Sequence, residues 1–221
     1  AYNAEIGVQK YFNDKKFRVG VNIYYTLLDN YIQRDFVNNT NGSIKQVEFD
    51  GEFGNAVSNQ NKDNAYITGF TANYLGKISN SWRTSGFITY TKGKTYDTNE
   101  PMSSIPPLFG QFELNHKVDR FEFGAAIRFN AKKNIKDFNI TEGIDNHDLT
   151  PIVNENATED LLKYGGSPSW ITAGLNFRFV VNNNFSVLAR LDNLLDQHYI
   201  EFASGVASPG RNLSVSFMAN F

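Results

Sequence analysis

Residues 213–221 read Leu-Ser-Val-Ser-Phe-Met-Ala-Asn-Phe, with an apolar residue at every odd position from Leu213 to Phe221. Period-two alternation sends successive side chains to opposite sides of an extended chain, so this segment is a strand with one continuously apolar face. The same period marks 17–27, 121–130, 171–181 and 185–192, and more weakly 3–12, 65–75, 82–94 and 108–116. Together these segments predict nine strands and an all-β chain.

The connections between the predicted strands fall into two classes that alternate along the chain. Four are short, Asn13–Lys16, Gly76–Ser81, Lys117–Arg120 and Asn182–Asn184, and are rich in the Asn, Asp, Gly, Ser and Lys of tight turns. Four are long, 33–64, 95–107, 131–168 and 199–211. A soluble antiparallel sandwich has no physical reason to sort its loops by side. An outer-membrane barrel does, because its periplasmic turns are short and its extracellular loops long.

Composition limits the alternatives. The 221 residues carry 21 Lys and Arg against 23 Asp and Glu, a net charge of -2 that argues against a general nucleic-acid binder. Mean hydropathy is -0.41, and no run approaches the roughly 18 apolar residues of a spanning helix. The opening AYNAEIGVQK lacks the basic-then-apolar layout of a signal peptide. There is no cysteine, which excludes a disulfide framework and cysteine-ligated metal. The 32 aromatic residues, 17 Gly and 28 Asn suit strands and polar loops.

In the five clear strands one face carries Phe17, Val19, Val21, Ile23, Tyr25 and Leu27, then Phe121 through Phe129, Ile171 through Val181, Phe185 through Leu191 and Leu213 through Phe221 at alternate positions. None of these is charged. The other face includes Arg18, Asn22, Glu122, Arg128, Asn176, Arg178, Arg190 and Asp192. A charge on the lipid face of a barrel costs about 2–4 kcal/mol at the midplane, which explains a face kept this clean. Trp82 follows a short turn and Trp170 a long connection, positions that fit aromatic girdles at two interfaces and equally ordinary packing. Segments such as 17–32 exceed the roughly 9–11 residues needed to cross a bilayer and are expected to project beyond it.

Several stretches together resemble the carboxy-terminal half of a TonB-dependent outer-membrane receptor. LDNLLDQHYIEFASGVASPGRNLSVSFMANF (191–221) is similar to that family's final strand pair, with Asn-Leu-hydrophobic-Asp, a Tyr, Pro-Gly-Arg at 209–211 and a terminal Phe. MSSIPPLFGQFEL (102–114) is similar to its Ile-Pro-Pro segment, and AEIGVQKYFNDKKFRVGVNIYYTLLDNYI (4–32) to a mid-barrel strand, turn and aromatic-rich strand. GIDNHDLTP (143–151) and YGGSPSW (164–170) fit the following loop and strand entry.

The resemblance implies a transmembrane antiparallel β-barrel of 22 strands with an amino-terminal plug. Residues 1–221 are then the carboxy-terminal portion of the barrel domain, strands 14 to 22, with the plug and earlier strands absent from this chain. An odd count of nine strands with two unpaired edges fits that reading. The implied function is active import of a scarce bulky nutrient, a ferric siderophore, haem or other metal chelate first, with an oligosaccharide as the same family's alternative. The implied location is the outer membrane of a Gram-negative bacterium. The implied partners are the chain's own plug and upstream strands, the TonB-ExbB-ExbD energising complex, the barrel-assembly machinery, a surface lipoprotein and the lipid bilayer. No nucleic acid, cofactor or catalysis is expected, since His116, His147 and His198 are far apart and no Ser-His-Asp or paired-carboxylate spacing stands out.

The charges Arg18, Glu113, Glu122, Arg128, Arg178, Arg190 and Asp192 are expected on the inner wall, as contacts of the plug or simply as a hydrophilic lumen. His147, among Asp145, Asn146 and Asp148, is the weak ligand candidate; its spacing fits no metal template, and a solvated polar loop is preferred. Ligand contact is expected in the loops 33–64 and 131–168. Phe217 and Phe221 read as the assembly signal. A passive porin and a soluble carbohydrate-binding sandwich remain as competing classes.

Overall fold

The computed structural model describes residues 1–145, 152–156, 163, 165–204 and 206–220. Its strands are β1 (Tyr2–Phe12), β2 (Phe17–Phe36), β3 (Gln46–Phe49), β4 (Glu52–Asn55), β5 (Val57–Lys77), β6 (Trp82–Thr95), β7 (Phe109–Val118), β8 (Phe121–Asn130), β9 (Trp170–Asn182), β10 (Phe185–Asp192) and β11 (Asn212–Ala219). A 3-10 turn (Ile135–Asp137) and a short helix α1 (Ile140–Asp145) lie between β8 and β9.

Nine of the strands form one sheet in the order β1-β2-β5-β6-β7-β8-β9-β10-β11, each neighbour antiparallel. All nine expected strands are present, joined as consecutive hairpins. The sheet is open, because β1 and β11 are each paired on one side.

The connection expected at 33–64 is shorter than its sequence suggested. β2 continues to Phe36 and β5 begins at Val57, paired through Phe36↔Val57, and a separate hairpin of β3 and β4 sits at the tip. Polar residues such as Gln33, Asn59, Gln60 and Asn61 hide the strand period there. At 20 residues, β2 spans about 66 Å, well beyond what crossing a bilayer requires.

Register fixes the two faces across all nine strands. Val8, Val21, Ala72 and Ile88 share one face, as do Phe123, Phe177, Ala189 and Val215. These side chains are not covered: Ile23 is 57% and Phe217 70% exposed. Among the described residues the buried apolar ones are Phe36, Ala65, Met102, Phe138 and Trp170, none of them beneath that face. A sandwich would cover it with a second sheet. Here it is left as a broad apolar surface, which in water would be an aggregation site and in lipid is the ordinary outer side of a barrel wall.

Aromatic residues border this face at both ends. Near the short turns Trp82 stacks on His116 at 4.3 Å, and Phe121 on Phe179 at 5.0 Å. Toward the long connections Tyr25 stacks on Tyr66 at 5.9 Å and Tyr66 meets Tyr96 at 5.2 Å.

Candidate functional site

The opposite face is polar, and the register brings all seven expected charges onto it. Ser85, Glu113 and Ala126 lie in one row across β6, β7 and β8, and Lys117, Glu122 and Arg178 in another across β7, β8 and β9. Arg128 pairs with Gln111, Arg190 with Asn176 and Ser214, Asp192 with Asn212, and Arg18 with Tyr11 and Leu75. Glu122 accepts from Lys117 at 2.8 Å and lies 3.7 Å from Arg178. Arg190 donates to Asp192 at 2.8 Å, and Gln111 donates to Glu113. Arg18 differs, since its Nε is buried with no hydrogen-bond partner among the described residues.

Glycines let large polar groups lie flat on this wall. Tyr24, Gly69 and Thr91 are in register across β2, β5 and β6, and the Tyr24 hydroxyl crosses Gly69 to reach Thr91 Oγ1 at 2.6 Å. A Cβ at Gly69 would fall 2.5 Å from that hydroxyl and collide with the Tyr90 carbonyl. Gly124 likewise separates Asn115 and Asn176, whose amides occupy the space its side chain would fill.

A cleft of about 620 Å³ opens on the same face toward the long connections, lined by Gln111, Glu113, Arg128, Asn176, Arg190, Asp192, Tyr199 and Glu201. The segment after β10 folds over it. Arg128 pairs with Glu201 at 2.9 Å, and Tyr199 packs on Trp170 at 4.4 Å. Asn193 anchors the segment by donating to the carbonyls of Gln197 and Pro209, and Asp196 accepts from the Arg211 amide at 2.7 Å. The Asn-Leu-Leu-Asp and Pro-Gly-Arg elements are therefore the two halves of one loop staple.

A second cluster knits the long connections together around Lys133. Its ammonium, 4% exposed, lies 3.2 Å from Glu142 and over the rings of Phe138 (4.3 Å) and Phe202 (4.5 Å). Glu142 also accepts from the Ser104 amide at 2.8 Å. Asn139 donates to the Pro101 carbonyl, and the Thr141 hydroxyl donates to the Arg34 carbonyl. Burial pushes the Lys133 ammonium below the ordinary lysine range, with Glu142 opposing the shift.

Of the two readings left open for Trp170, packing holds: it shares the polar face with Thr172 and Asn176, is 9% exposed, and holds Arg128 at 5.8 Å from its ring. The tyrosines at 25, 66 and 96 border the apolar face at that end. In the connection 131–168, Lys133, Phe138, Asn139, Thr141 and Glu142 are buried in the Lys133 cluster. His147 and Phe221 lie outside the described residues. Phe217 stacks on Phe185 at 6.2 Å on the apolar face. His116 sits beside a short turn and His198 in the connection after β10, so they are not brought together. Among the described residues no group of three or more His, Asp and Glu could hold a metal ion.

Sequence reading missed Glu5, Tyr24, Thr91, Lys133 and Glu142. Glu5 accepts from Asn22 at 2.5 Å and follows from parity once β1 is in register. The Lys133–Glu142 pair, nine residues apart across a turn and a short helix, left no periodic signal.

An antiparallel hairpin wall with an uncovered apolar face, aromatic borders and a charged inner face is a section of a transmembrane β-barrel. The family model for TonB dependent receptor-like β-barrels matches residues 1–194, and the chain belongs to that family. No curated protein matches it. Among solved structures, the copper transporter OprC aligns over 99% of this chain and 30% of its own, with TM-score 0.70 and 19% identity. The ferric enterobactin receptor PfeA of Pseudomonas aeruginosa aligns over 99% and 31%, with TM-score 0.69 and 20% identity. The ferric-catecholate import receptor Fiu of E. coli aligns over 98% and 27%, with TM-score 0.60 and 16% identity. The chain thus spans less than a third of the length of these structures.

Proposed function

We propose that residues 1–221 are the carboxy-terminal portion of the barrel of a TonB-dependent importer in the outer membrane of a Gram-negative bacterium, and that the complete receptor moves a scarce, bulky nutrient inward. The observation that carries this reading is the division of one sheet into an uncovered apolar face and a face bearing Arg18, Glu113, Glu122, Arg128, Arg178, Arg190 and Asp192, in a chain whose family is that of TonB-dependent receptors. Metal chelates lead as cargo, because OprC, PfeA and Fiu are described as copper, ferric enterobactin and ferric-catecholate proteins. An oligosaccharide is the alternative cargo.

On this reading the barrel is 22-stranded, and the missing plug and earlier strands complete it. The inward charges hold the plug through hydrogen-bonded contacts that part when the energising complex pulls, and Arg18, with an unsatisfied buried Nε, is the first candidate. The receptor has no chemical step to catalyse. Phe217 and Phe221 address the chain to the assembly machinery. A surface lipoprotein is a further partner.

The test is growth of a strain lacking the receptor gene on limiting iron chelates, haem, other metal chelates and glycans. Loss of growth on one source, restored by the gene, identifies the cargo. Unimpaired growth on every source would count against import.

A further inference from the structure

The inward face accounts for the charges found by parity, but it does not use two lysines on the other side of the wall. Trp82, Thr84, Gly86, Ile88, Tyr90, Lys92 and Lys94 alternate along β6 and share the outward register. The first five suit lipid and the last two do not. From Trp82 to Lys94 is 12 residues, about 40 Å along a strand and about 28 Å of depth at a 45° tilt. That is close to the roughly 30 Å of hydrocarbon. With Trp82 at the inner interface, the two lysines fall at the height of the outer headgroups.

Lys92 and Lys94 are not isolated there. They line a cleft of about 540 Å³ with Tyr90, with Lys132 and Lys136 from the segment after β8 and with Lys133, which is already paired to Glu142; Asp137 is the one carboxylate in the lining. None of Lys92, Lys94, Lys132 and Lys136 makes an ion pair among the described residues. Four ammonium groups around one cleft, with no ion pair among the described residues, leave a concentrated positive potential that an anion relieves.

We propose that this cleft binds the phosphate-bearing headgroup of an anionic lipid of the outer leaflet. This rests on the reading of the chain as an outer-membrane barrel wall. Phosphate groups match the lysine charge, and the apolar file below Lys92 meets the acyl chains of the same molecule. A soluble anion would gain nothing from that file.

The test uses the complete gene product purified from outer membranes into nanodiscs, with bound lipid counted by native mass spectrometry. The probes are an outer-leaflet lipid bearing headgroup phosphate, the same lipid dephosphorylated, and inorganic phosphate. Wild type is expected to retain the phosphorylated lipid at least tenfold better than the dephosphorylated one, and K92Q/K94Q/K132Q/K136Q to lose that preference. The matching four-arginine variant should keep it, which separates lost charge from lost folding. Equal retention of both lipids by wild type, or an unchanged preference in the glutamine variant, would overturn the inference. Release by millimolar inorganic phosphate would make the cleft a soluble-anion site and overturn it too. Absence of wild type from the outer-membrane fraction would overturn both this inference and the reading beneath it, whereas normal fractionation with lysine-independent lipid retention overturns the inference alone.

Discussion

Tyr24 reaches across Gly69 to hydrogen-bond Thr91, 2.6 Å away and two strands distant. The contact ties β2 to β6 over the strand between them and depends on a residue without a Cβ. Tyr24→Phe removes one part-buried hydrogen bond and should cost about 0.5–1.5 kcal/mol. Gly69→Val forces a side chain against the Tyr24 ring and the Tyr90 carbonyl and should cost more, about 1–3 kcal/mol or beyond. Urea unfolding of the receptor in lipid, followed by tryptophan fluorescence, measures both. The order valine worse than phenylalanine is the outcome that supports this account of the inner wall.

The two faces should respond oppositely to one substitution. Ile23 lies on the apolar face and Asn22, its neighbour, on the inner one beside Glu5. Ile23→Arg should cost about 2–4 kcal/mol, or less if its depth is closer to an interface. Asn22→Arg meets a carboxylate and should be far milder. Heat-modifiable migration and outer-membrane yield of the two variants report the difference.

Most of the wall was legible from alternation. The segments 121–130 and 185–192 coincide with β8 and β10, and the parity that set Arg178 and Arg190 opposite the apolar residues is the parity of the sheet. The upper parts of β2 and β5 were hidden because above the bilayer neither face need be apolar, so Gln33 to Phe36 and Val57 to Asn61 carry no period. Trp170 stayed open between girdle and packing because residue type was weighed without parity: its even number already put it with Thr172 and Asn176. The Lys133 cluster joins residues from four segments, and contacts of that range leave no trace in local pattern.

That cluster should behave as a buried pair. Lys133→Ala removes the ammonium beside the buried Glu142 and should loosen the 133–142 segment by about 3–5 kcal/mol, whereas K133M/E142L, which removes both charges, should cost much less. Limited proteolysis between β8 and β9 distinguishes the two. Because burial holds Lys133 below the usual 10.5, the unfolded segment binds more protons between the depressed value and 10.5, so segment stability rises with pH across that window and is flat below it. The slope should vanish in Lys133→Met.

The assembly role proposed for Phe221 separates membrane level from ligand binding. Deleting Phe221 should lower the receptor's outer-membrane level while ligand affinity of the remaining molecules stays the same. Quantitative immunoblotting of membrane fractions, with binding normalised to receptor, tests this, and equal levels would reject the role.

Energised import is the central claim, and uptake of the cargo found in the growth screen tests it most directly. Uptake by cells carrying the receptor should fall to the receptor-null level when the TonB complex is deleted or the proton gradient is collapsed. Uptake that continues unchanged under either condition would make the barrel a passive channel and contradict the account.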